Sequence, residues 1–255
     1  MAEKIVTKNL ESGIYTLGLD TNEQNSLTLD NFRELFKALE TLETSQDVRV
    51  LIIHSLQPKV FCQGLNLQEL ANNAEEEVLE FVKYFFGILK KIYLFPQPVV
   101  CAMNGHSMGY GCMIALLSDY RFMSPKSRIG LPEVKLGIRV PIFIARALQD
   151  LIGVRYANQH ILEGNAYKAE QAMQIGMIDA VIAQEEVFSH SISFARKFLK
   201  NSRTGMLESK KAMRMTMQIE DILAVDYEKT LESIASADAK EGIAAAIEMR
   251  KPSFA

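Results

Sequence analysis

Tyr15, Leu17 and Leu19 alternate with Thr16 and Gly18, the period-two pattern of a strand with one face buried. Residues 48–53 (VRVLII) form a β-branched run suited to a strand buried on both faces. Between them Phe32, Leu35, Phe36, Leu39 and Leu42 recur at helical spacing, which predicts an amphipathic helix capped by Thr28 or Asp30. A longer helix is predicted over residues 74–94, with Val78, Phe81, Val82, Phe85, Leu89 and Ile92 inward and Pro96 and Pro98 beyond its end. Residues 99–103 (VVCAM) read as another strand, followed by a glycine-rich turn and an apolar helix over residues 110–117. From about Glu185 the pattern is almost wholly helical, down to the amphipathic EGIAAAIEMRK. No sequence repeat or low-complexity linker interrupts the chain, so the expectation is an α/β core followed by a helical tail.

Composition narrows the partners. A chain of 255 residues, 48% hydrophobic and 23% charged, is long enough to bury one domain's core, with or without an appendage. Its net charge is −3 with basic residues spread along the chain, which argues against nucleic acid and anionic membranes and for small molecules. Cys62, Cys101 and Cys112 form no C-x-x-C pair and are odd in number, against a disulfide framework or a metal site. The opening MAEKIVTKNLESG has no apolar signal core, no run suits a bilayer span, and the final Ser253-Phe254-Ala255 is no peroxisomal address. The expectation is a cytoplasmic protein.

Candidate chemistry starts with NGHSMGYG, where Gly105-His106-Ser107-Met108-Gly109 fits the G-x-S-x-G nucleophile elbow of serine hydrolases. Strand, turn and helix occur in the required order around Ser107. The catalytic base does not follow: His160 and His190 both lie in helical patterning, where a surface or half-buried histidine is expected, and no upstream His-Gly-Gly turn supplies a second oxyanion donor. A glycine turn opening a helix offers instead unpaired N–H groups to an anionic oxygen, with Gly105, Gly109 and Gly111 allowing close approach, or it merely lets strand and helix pack tightly. KVFCQGLNLQEL, with its Gly64 turn before another helix, offers a second set of donors. In SRIGLPEVKLGI, Glu133 stands among Ile129, Leu131, Val134, Leu136 and Ile138, either solvated after Pro132 or desolvated with the raised pKa a general base needs.

These stretches, with NSLTLDNFRELFKALETLE, AYKAEQAMQIGMID and EGIAAAIEMRKPSF, resemble in order and spacing the crotonase superfamily of enoyl-CoA hydratases and isomerases, over nearly the whole chain. The resemblance implies a spiral core of ββα units, over residues 1–195, and a C-terminal helical region, residues 196–255, that builds homotrimers or hexamers. It implies an acyl-CoA thioester as ligand, coenzyme A entering only as part of the substrate and no separate cofactor. The thioester oxygen would be held by the N–H groups of Leu65, after Gly64, and Tyr110, after Gly109, leaving Ser107 incidental; Cys62, Gln63, Gly64 and Asn66 would line the thioester and pantetheine path. Hydratases of the family use two glutamates, and dienoyl-CoA isomerases a different acid pair; this chain has Met113 and Pro141 at the positions concerned and retains Glu133. The segment is most similar to that of the Δ3,Δ2-enoyl-CoA isomerases, with Glu133 as base and acid in fatty acid β-oxidation. Other readings of the same likeness are an isomerase or decarboxylase of carrier-protein-bound thioesters in polyketide β-branching, and a noncatalytic acyl-CoA-binding trimer.

Overall fold

The computed structural model describes residues 4–11, 13–215 and 218–254. Residues 1–3 and 255, on which the readings of the two termini partly rest, lie outside the described residues. The chain opens with an antiparallel pair, β1 (Ile5–Glu11) and β2 (Ile14–Leu19), then the short β3 (Ser26–Leu27) and the helix α1 (Leu29–Thr44). Next come β4 (Val50–Ser55), β5 (Val60–Cys62), β6 (Gly64–Leu65), α2 (Leu67–Asn72) and α3 (Glu75–Leu94). A third turn of chain is β7 (Val99–Met103), β8 (His106–Met108) and α4 (Tyr110–Leu117). A fourth is β9 (Tyr120–Met123), β10 (Arg128–Gly130), a 3-10 turn at Glu133–Leu136, and α5 (Ile142–Glu163), bent at Gly153. The rest is β11 (Ala166–Lys168), α6 (Ala169–Gln174), β12 (Ala180–Val181), α7 (Val187–Ala195), α8 (Arg203–Arg214), α9 (Ile219–Ala235) and α10 (Ala237–Ile247).

Two sheets organise these turns. The larger runs β1-β2-β4-β7-β9-β12, parallel beyond its first pair, and the smaller runs β11-β10-β8-β5. Successive turns β4/β5, β7/β8 and β9/β10 each give one strand to each sheet before their helical part, so the spiral repeats in structure although no repeat is visible in the sequence. Leu51 and Ile53 of β4 face the main core, while Val50 and Ile52 pack on the opposite face with Val100, Phe122 and α7. Burial on both faces is why this strand opens with an unbroken apolar run, Val50 to Ile53. It starts at Val50 rather than Val48, where the N–H groups of Arg49 and Val50 both turn to Gly13 C=O (2.8 and 3.0 Å).

The helices follow from their caps and stripes. Thr28, not Asp30, caps α1: its Oγ1 accepts from Asn31 N–H while Asn31 Oδ1 accepts from Thr28 N–H. Phe32, Leu35, Leu39 and Leu42 are buried, and Phe32 meets Phe81 of α3 (5.0 Å between ring centres) and Tyr110 of α4 (4.8 Å). Ala74 sits just outside α3, its N–H donated to the Glu77 carboxylate (2.9 Å). Beyond α7 the chain does not leave the core: Ile219 of α9 and Ile243 of α10 belong to the same apolar cluster as Phe32 and Leu51. Through α9 this C-terminal region covers the cavity described next.

Candidate active site

Two glycines shape the centre of the site. Gly64 has φ +98° and Gly109 φ +53°, conformations that side chains with a Cβ rarely adopt. A Cβ on Gly64 would stand 3.2 Å from Met108 O and 3.3 Å from Tyr110 N, so the two turns lie back to back. Their following residues present main-chain donors. Tyr110 opens α4, and its N–H is one of those a helix leaves without an intrahelical partner. Asn66, just beyond β6, donates its N–H to Leu27 C=O (2.9 Å), so Leu65 N–H, one residue earlier in the extended chain, faces away from β3. The Tyr110 side chain plays no part, being buried with its hydroxyl donated to Phe85 C=O (2.9 Å).

The placement of these turns is over-determined. Asn25, itself at φ +46°, donates from Nδ2 to Leu19 C=O, Ser55 Oγ and Phe61 C=O, tying β2, β4 and β5 together just before the Gly64 turn. Of the glycines in NGHSMGYG only Gly109 faces the site. A Cβ on Gly105 would overlap the Lys59 backbone at 2.1 Å and one on Gly111 the Cys62 carbonyl at 2.4 Å, so these two serve close packing rather than ligand approach.

Glu133 opens the 3-10 turn after β10 and is 7% exposed. A Cβ on Gly109 would lie 3.5 Å from Glu133 Oε1, which brings the carboxyl beside the donor turn. Oε2 is buried without a hydrogen-bond partner. Burial pushes this carboxyl up to about 7, opposed only by a contact with its own backbone. Of the two environments that the sequence leaves open for Glu133, the desolvated one is found.

A cavity of about 90 Å³ joins these parts. Gln63, Gly64, Leu65, Gly109, Tyr110 and Glu133 line it, and Leu67, Leu70, Phe81 and Phe85 supply an apolar wall. Met113 and Pro141 also line it. Cys62 and Asn66 do not. Cys62 is fully buried beneath the turn, its Sγ accepting from Gly64 N–H (3.4 Å), and burial pushes its thiol up to about 12. Asn66 caps α2, its Oδ1 accepting from Glu69 N–H (3.1 Å). Ser107 lies inside β8, fully buried between β5 and β10, with no partner for its hydroxyl, so it is neither presented nor activated as a nucleophile. His160 is fully buried rather than on a helix surface, its ring tilted against that of Tyr167 with centres 4.7 Å apart, and neither ring nitrogen is hydrogen-bonded.

Three polar residues of the site escape a reading of the sequence. Arg139 and Thr230 line the cavity, and Asp226, fully buried, accepts from Arg139 Nη2 (2.9 Å) and from the first N–H groups of α5, Ile142 and Phe143 (2.8 Å each). The only trace is the spacing of Asp226, Thr230 and Ser233, one face of α9.

A spiral of paired strands whose turns set two main-chain donors beside one desolvated carboxyl defines an enzyme of the crotonase class. The family profile described as enoyl-CoA hydratase/isomerase matches residues 9–255, and the chain belongs to that family. It is 30% identical over 229 residues to the short-chain-enoyl-CoA hydratase of Clostridium acetobutylicum, covering 89% of this chain and 88% of that one. It is 31% identical over 196 residues to enoyl-CoA delta isomerase 1 of Rattus norvegicus, covering 76% and 68%. The fold superposes on the crystal structure of human mitochondrial delta3-delta2-enoyl-CoA isomerase with a TM-score of 0.91 at 25% identity, over 97% of this chain and 98% of that one. Hydratases and isomerases are similar to it in comparable degree, so the reaction has to be argued from the site.

Proposed function

We propose that the protein is a Δ3,Δ2-enoyl-CoA isomerase. The observation that carries this reading is that Glu133 is the only carboxyl lining the cavity among the described residues; Met113 and Pro141, where the resemblance implies the acids of other members, line it too and carry none. Glu133 as carboxylate takes a proton from C2 of a 3-enoyl thioester, and the electron pair moves onto the thioester oxygen, giving a dienolate. The N–H groups of Leu65 and Tyr110 hold that developing charge in a water-poor site. The same carboxyl, now protonated, returns the proton to C4, and the double bond ends between C2 and C3. A base poised near neutral pH suits both transfers. Hydration instead needs one group to deprotonate water and another to deliver a proton to C2, and the Met113 thioether does neither.

The reading includes a place in fatty acid β-oxidation, a cytoplasmic homotrimer or hexamer, and no cofactor beyond the coenzyme A of the substrate. Its test is to follow 3-hexenoyl-CoA isomerisation and crotonyl-CoA hydration side by side. Isomerisation should be at least about a hundredfold faster, the effect of one missing acid–base group. Comparable rates would overturn the assignment.

A further inference from the structure

The chemistry takes place beside the donor turns, and the rest of the cavity decides which chain it can hold. Among the lining residues Gln63, Leu65 and Ile138 are part-exposed, whereas Phe81, Phe85, Met113 and Pro141 are buried, so the cavity opens beside the donor turn and ends blind between α3, α4 and the segment before α5. Coenzyme A is far larger than a cavity of about 90 Å³ and stays outside it, which points the acyl chain from the donors toward the buried end. That end is rigid. Phe85 meets Tyr110 and Phe86 at 4.7 and 4.9 Å between ring centres, and Phe81 meets Phe32 at 5.0 Å. Nor can α3 retreat, since Gly87 lies so close to α1 that a Cβ on it would stand 2.9 Å from the Phe36 ring. On the far side Asp226 of α9 accepts from the N–H groups of Ile142 and Phe143, fixing Pro141, and Tyr227 of α9 donates to Leu79 C=O of α3 (3.3 Å).

Volume then sets the length. An apolar cavity of about 150 Å³ holds the six carbons of benzene, so one of about 90 Å³ holds about four at the same density. With the thioester carbon at the donors on the open side, a chain of about four to six carbons fills the space, and a longer one meets the aromatic rings. We infer that the protein is specific for short-chain acyl thioesters, of about four to six carbons, with Phe81, Phe85 and Met113 forming the stop. This rests on the acyl-thioester reading of the site and names its substrate class more closely.

The test is binding of the saturated ligands butanoyl-, hexanoyl-, octanoyl- and decanoyl-CoA, measured by calorimetry, which does not depend on turnover. A methylene that finds room in an apolar cavity gains about fourfold in affinity. In the wild-type protein the gain should run from butanoyl-CoA to hexanoyl-CoA and end there, so that decanoyl-CoA binds no more tightly than hexanoyl-CoA. Phe81→Leu and Met113→Ala each remove three heavy atoms from the blind end, and in either folded variant octanoyl-CoA should bind about tenfold more tightly than hexanoyl-CoA. A wild-type gain that continues to decanoyl-CoA, or a limit that stays at six carbons in both folded variants, would overturn the inference. A six-carbon limit in a protein that fails to isomerise 3-hexenoyl-CoA would instead overturn the isomerase assignment and leave this one standing. Binding of no acyl-CoA at any length would overturn the acyl-thioester reading and this inference with it.

Discussion

Replacing Glu133 by glutamine should make the fold more stable at neutral and alkaline pH, by an amount set by the burial of the carboxyl. Its pKa is about 7 in the fold against an ordinary 4.5, because the charged form is desolvated and Oε2 finds no donor. The folded state therefore holds the proton over a range where the unfolded chain has released it. The stability this contributes is fully present below pH 4.5 and is lost as pH rises through 7. A difference of about 2.5 in pKa, at about 1.36 kcal/mol each, makes the loss about 3 kcal/mol above pH 7. Glutamine resembles the protonated acid at every pH and is spared that loss; the burial of its amide N–H groups adds an offset that does not vary with pH. Urea denaturation of both proteins at intervals from pH 4.5 to 8.5 measures the difference. The stability of Glu133→Gln relative to wild type should climb by about 3 kcal/mol across that range, most steeply between pH 5 and 7. Parallel curves would show that Glu133 titrates normally and that the desolvation argument is wrong.

Ser107→Ala removes a hydroxyl that is buried without a partner, so activity should stay within a few-fold of wild type and urea stability should be unchanged or higher; a loss of orders of magnitude would restore the nucleophile. His160, kept neutral by burial with a pKa lowered to about 4, contributes stability that is present above pH 6.5 and is lost as pH falls through 4, about 3 kcal/mol in all. His160→Phe keeps a ring against Tyr167 and should flatten that part of the acid denaturation curve, leaving the similar contribution of His54 in place; an unchanged acid limb would contradict it.

How far such features are legible in a sequence depends on whether their cause is local. The strand at 99–103 and the helix at 110–117 have the bounds their hydrophobic patterns predict, because every residue of both is buried and the punctuation between them is glycine. The capping of α1 is decided by one side chain three residues away. The short strands β5, β6, β8, β10 and β11 have two or three residues each, too few for a period to show, and they carry the spiral. Gly64 and Gly109 are visible as turns, yet only their back-to-back packing distinguishes Gly109, which faces a ligand site, from Gly105 and Gly111, which face backbone. Glu133 stays ambiguous in sequence because its apolar neighbours fit a solvated turn as well as a cavity wall. Arg139, Asp226 and Thr230 are hidden for a different reason: the ion pair spans 87 residues, and a polar stripe on one helix does not say which distant segment it faces. His160 is misjudged on the same ground, since the covering Tyr167 follows only after a turn and a new strand.

The central claim is that one buried carboxyl performs both proton transfers, and its most direct test is the rate of 3-hexenoyl-CoA isomerisation by purified Glu133→Gln against wild type, with circular dichroism confirming that the variant is folded. Loss of a general base costs about 10² to 10⁴ in rate, and a group used twice belongs at the upper end. A folded Glu133→Gln that isomerises about 10⁴-fold more slowly is the predicted result. Turnover within tenfold of wild type by the folded variant would contradict it and move the chemistry elsewhere.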